Sequence, residues 1–122
     1  MRTTFVHEAL LSLDTAGDER APGGAVTLEL CGSWDHPGPC PVAPHHTAVH
    51  REGAAGDLRV RVLFACDPAG EDAVRRRVVE ALGTGELVGP DGASTRWDLR
   101  RHGPGVVLAD ELEHAERLTG EP

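Results

Sequence analysis

Residues 31–44 carry four prolines (Pro37, Pro39, Pro41, Pro44) together with Gly32 and Gly38, and that density excludes a regular helix or strand. The chain is therefore expected to fold around an irregular connection of about fourteen residues, a length that in small domains usually marks function or disorder. Trp34 argues against disorder, because so large an apolar ring is normally packed, and the ligand-type residues argue for function. Extended to His50, the same stretch holds two of the three cysteines (Cys31, Cys40) and four of the seven histidines (His36, His45, His46, His50). Thiols and imidazoles are the side chains that bind transition metals and carry thiol chemistry.

On either side of this connection the pattern is that of an α+β domain spanning residues 1–122, with a Cys/His/Pro-rich loop at 31–46. Thr3 to Leu13 reads as a strand. Asp14 to Gly24 reads as a loop, and Val26, Leu28 and Leu30 alternate with polar residues as a second strand delivering Cys31. Beyond the loop, His46, Ala48 and His50 share one face of a strand and His45, Thr47 and Val49 the other. Next, Leu58, Val60, Val62, Phe64 and Cys66 form the inward face of the clearest strand, with Arg59 and Arg61 outward, and the pair is expected to be an antiparallel hairpin. Asp67-Pro68 opens a helix with an apolar stripe of Val74, Val78, Ala81 and Leu82, ended by Gly83. Gly89-Pro90-Asp91-Gly92 turns a second short hairpin, and Leu112, Ala115 and Leu118 mark a short C-terminal helix. The sum is an antiparallel sheet of four to six strands with one main helix, about 68–83, packed on one face.

Composition removes several functions. A net charge of -8 repels a phosphate backbone, so no nucleic-acid partner is expected. All twelve basic residues are arginine, a composition bias that weakens any reading of Arg75-Arg76-Arg77 as more than a solvated helix face. No apolar run approaches the roughly 20 residues of a membrane span, and the first residues lack a signal peptide's apolar region. A cytoplasmic location with reduced thiols is the expectation.

Cys31, His36, Cys40 and His45 supply two thiolates and two imidazoles, a set that zinc takes tetrahedrally, although the spacing is longer than that of a zinc finger. His46 is the alternative to His45, since adjacent residues face opposite ways. Cys66 joins the candidate set if its strand end lies close, and iron is the less favoured metal. Two other readings stay open. Cys66 before a helix N-terminus, or a Cys31/Cys40 pair, is suited to thiol or redox chemistry, and Trp34 or Trp97 is suited to anchoring a protein partner or a homodimer. Whether the protein is an enzyme is not decided by these residues.

Overall fold

In a computed structural model, which describes residues 2–14, 17–31, 43–52, 57–89 and 91–120, the N-terminal alternating segment is an eleven-residue strand, β1 (Thr3–Leu13). It is followed by α1 (Ala21–Cys31), β2 (His45–Glu52), β3 (Asp57–Cys66), α2 (Glu71–Gly83), β4 (Glu86–Val88), β5 (Ser94–Gly105) and α3 (Leu112–Gly120), with single 3-10 turns at Pro68–Gly70 and Ala109–Glu111. The strands form one five-stranded antiparallel sheet in the order β2-β3-β1-β5-β4. The path β1–α1–β2–β3–α2–β5 is a split β-α-β arrangement, with β4 added as a short hairpin strand on β5.

Strand alternation decides which side chains meet the helices. Ala9, Leu11 and Leu13 of β1, Leu58, Val60, Val62 and Phe64 of β3, and Trp97 of β5 project to one face. There they are buried with Ala25, Val26 and Leu30 of α1 and Val74, Val78, Ala81 and Leu82 of α2. Trp97 is core, its Nε1 donating to the Leu82 carbonyl at 2.8 Å, so it is no surface anchor for a partner.

One sequence expectation is overturned here. The stretch containing Val26, Leu28 and Leu30 is helix α1, not a strand, and the expected loop ends at Arg20. The buried positions Ala21, Ala25, Val26 and Leu30 follow helical spacing, whereas Leu28 is only half-buried. Asp18 closes the helix entrance, its carboxylate accepting the Arg20 amide (2.9 Å) and its carbonyl the Ala21 amide (3.0 Å). Gly23 is poor for helix propensity but suits the packing: a Cβ there would meet Thr47 Cγ2 at 3.1 Å, so the bare backbone lets α1 lie close on β2.

The other face of the sheet, here the outer face, departs from expectation too. Arg61 does face away from α1 and α2, but it is buried, because the chain after β5 turns back across the sheet. The guanidinium forms a two-pronged bond to Glu111 (2.8 and 2.7 Å), pairs with Glu8, and donates to the Val106 carbonyl at 2.6 Å. α3 then packs over β3 and β1, Thr4 Oγ1 donating to the Ala115 carbonyl at 3.2 Å. Its expected stripe is incomplete, since Leu112 is exposed.

The junction between α2 and β4 needs glycine. Gly85 has φ +74°, and a Cβ added there would lie 3.0 Å from the Trp97 carbonyl oxygen. Gly85→Ala is expected to lower stability by about 1–2 kcal/mol, from the left-handed backbone cost alone. Urea unfolding measures this directly, and an unchanged midpoint would contradict it.

Candidate functional site

The candidate metal ligands fall at three places. Cys31 is the last residue of α1, His45 and His46 open β2, and Cys66 ends β3. His36, Cys40 and Trp34 lie outside the described residues. The register pairs His45 with Phe64 and His46 with Leu63, and the Ala65 amide donates to the Pro44 carbonyl at 3.0 Å, which carries the ladder one step beyond β2. Cys66 is thereby brought opposite Ala43, on the same face as His45.

His45 points toward α1. Its Nδ1 lies 3.3 Å from the Ala43 carbonyl, which can only accept, so Nδ1 carries the proton and Nε2 keeps its lone pair. That Nε2 lies 3.1 Å from the hydroxyl of Thr27, one helical turn before Cys31. The last turn of α1 and the first residue of β2 are therefore held together at the two ends of the 32–42 stretch. A backbone carbonyl holding Nδ1–H is how metal-ligating histidines are commonly oriented; here the Nε2 lone pair accepts from the Thr27 hydroxyl. A cavity of about 330 Å³ lies here between α1 and β2, lined by Gly23, Thr27, His45 and Thr47 among others. Thr47 Oγ1 is buried with no hydrogen-bond partner among the described residues.

His46 is on the outer face, stacked on His114 of α3 with ring centroids 3.8 Å apart and planes 11° from parallel. Burial, then the neighbouring His114, lowers its pKa. His45 and His46 thus serve opposite faces and cannot share a metal at these positions. Cys66 is half-buried, and burial together with the Glu71 and Asp67 carboxylates raises its thiol pKa. The following turn is a 3-10 turn capped by Asp67, so the helix start brings a carboxylate with it and leaves Cys66 a neutral thiol. Among the described residues no three His, Cys, Asp or Glu side chains are grouped closely enough to hold a metal.

A second cluster escaped the sequence reading. His7 projects from the inward face of β1 and is buried. Its Nδ1 accepts from Arg75 at 3.0 Å, and its Nε2 lies 3.0 Å from His102 Nδ1 on β5. Arg75 also donates to the Val6 carbonyl (2.7 Å), pairs with Glu71 (2.7 Å) and lies over the Phe5 and Phe64 rings. It is therefore not part of a free basic face. Arginine only donates, so His7 holds its proton on Nε2 and gives that bond to His102. Burial first, then Arg75 and His102, lowers the His7 pKa to about 4. The signal was present in the sequence as the one titratable residue in the inward series Phe5, His7, Ala9, Leu11, Leu13.

No protein-family model, curated protein or solved structure matches this chain. What the fold defines is a small α+β protein, in which no helix of the described residues is long and apolar enough to cross a membrane.

Proposed function

We propose that the protein binds a metal ion, zinc ahead of iron, through Cys31, His36, Cys40 and His45. The observation that carries this reading is the orientation of His45, with Nδ1 tied to the Ala43 carbonyl and Nε2 directed at the turn of α1 that leads into Cys31. Two thiolates and two imidazoles match the preference of zinc, and four protein donors close its tetrahedron. A closed site would be structural, pinning a proline-rich connection that cannot be held by regular backbone bonding. Cys66, on the same face as His45, is the reserve ligand, and His46 is disfavoured by its stack on His114. Thiol catalysis at Cys66 has weaker support, since its surroundings keep the thiol protonated.

The test is metal retention by single variants of the tag-free protein. Cys31→Ser and His45→Gln are expected to lose stoichiometric zinc after dialysis, while His102→Ala and His114→Ala keep it. Equal metal content in all four variants would refute the ligand assignment.

A further inference from the structure

The open part of the outer face is striped by charge. Reading the strand registers across the sheet, Glu52, Asp57 and Asp98 lie in one row, and His50, Arg59 and Arg101 lie in the next. The second row owes Arg101 to a bulge in β5. Residues three apart on a regular strand face opposite ways, but the register shift between Leu10 and Leu11 lets Asp98 and Arg101 both point outward. Arg59 is held by Glu8 and Glu52 within the chain. Asp98 and Arg101 are exposed and lie within 4 Å of no opposite charge among the described residues, Arg101 acting on Glu52 only through the field of its charge.

From this pattern we infer that the outer face is a homodimer interface. A second copy stacks sheet on sheet about a two-fold axis that runs perpendicular to the strands. That operation keeps each strand over its counterpart and reverses the strand direction, so the acidic row of one copy meets the basic row of the other and Asp98 meets Arg101 twice. An axis along the strands would set like rows on like and is excluded by repulsion. The layer spacing also agrees: packed sheets and packed helices both stand about 10 Å apart, so the α3 of one copy fits beside the end of the other copy's sheet.

Sedimentation velocity over a concentration series tests the interface by charge reversal. The wild-type chain is expected to sediment at twice its 12.9 kDa mass. Arg101→Asp makes the face acidic in both rows of β5 and Asp98→Arg makes it basic in both, so each alone should weaken the dimer at least about tenfold, the effect of ~1.4 kcal/mol of like-charge contact. An equimolar mixture of the two variants, and the double variant Asp98→Arg/Arg101→Asp, should each restore it. Both positions are exposed, and circular dichroism of the single variants separates lost association from lost folding. A wild-type monomer at ~1 mM, far above the ~1 μM typical of modest association, would overturn the inference. So would a dimer that survives both single reversals.

Discussion

Replacing Arg61 with methionine is expected to remove about 3–5 kcal/mol of stability, a large part of what a domain of this size possesses. Arg61 and Glu111 expose only 7% and 10% of their side chains, and Glu8 shares the same guanidinium. The Glu111 pKa is lowered first by its bonds to Arg61, against a burial effect that raises it. Without the arginine, Glu111 is a carboxylate in a nearly dry site whose remaining donor among the described residues is the Leu108 amide, and the Val106 carbonyl also loses the Arg61 donor. The cost comes from that orphaned charge and not from the net worth of the pair, so removing both charges should hurt less than removing one. Arg61→Met/Glu111→Leu is accordingly expected to recover at least about half of the loss, a non-additivity of the size that coupled neighbours show. Urea unfolding of the three proteins decides it. A single variant within about 1 kcal/mol of wild type would mean the 106–111 segment is held by something other than this pair.

The second large effect is a loss of stability on mild acidification, centred on His7. Its folded pKa of about 4 lies below the ordinary 6.5, so between those values the unfolded chain binds the proton and the folded chain does not. Stability from this group is fully present above pH 6.5 and is lost as pH falls through 4, by about 3 kcal/mol in total. The groups facing the imidazole are Arg75 from α2, itself paired with Glu71, and His102 from β5. A proton on His7 must displace the Arg75 bond at Nδ1. His7→Gln retains an acceptor for Arg75 and a donor for His102 but does not titrate, so its stability should decline less than that of the wild type, the remaining slope coming from His46 and, toward pH 4, from carboxylates such as Glu111 whose pKa values are also lowered. Parallel stability profiles for wild type and His7→Gln between pH 7 and 4 would contradict this assignment.

Strand alternation made most of the sheet legible. Leu58 to Phe64 announced β3, the opposed faces of His45 and His46 followed from period two, and Asp67-Pro68 marked the entry to the 68–83 helical stretch. α1 was misread because Val26, Leu28 and Leu30 satisfy period two over five residues, while the helical series Ala21, Ala25, Val26, Leu30 starts in a Pro-Gly-Gly sequence of low propensity that only packing against β2 and α2 offsets. Arg61 was read as solvent-facing because alternation assigns a side of the sheet and says nothing about a later segment covering it. Of the candidate site, the opposite facing of the adjacent histidines His45 and His46 was readable from strand alternation. Thr27 meeting His45, and the carbonyl that fixes the His45 tautomer, depend on tertiary contacts eighteen residues apart along the chain for the first and on local backbone geometry for the second.

Elemental analysis of tag-free protein, with thiol titration of the same sample before and after chelation, tests the metal reading most directly. About one equivalent of zinc per chain is expected, the stoichiometry of a single tetrahedral site, with Cys31 and Cys40 reacting only once the metal is removed. Metal-free protein that takes up no added zinc, with all three cysteines reacting at the same rate in either condition, would contradict it.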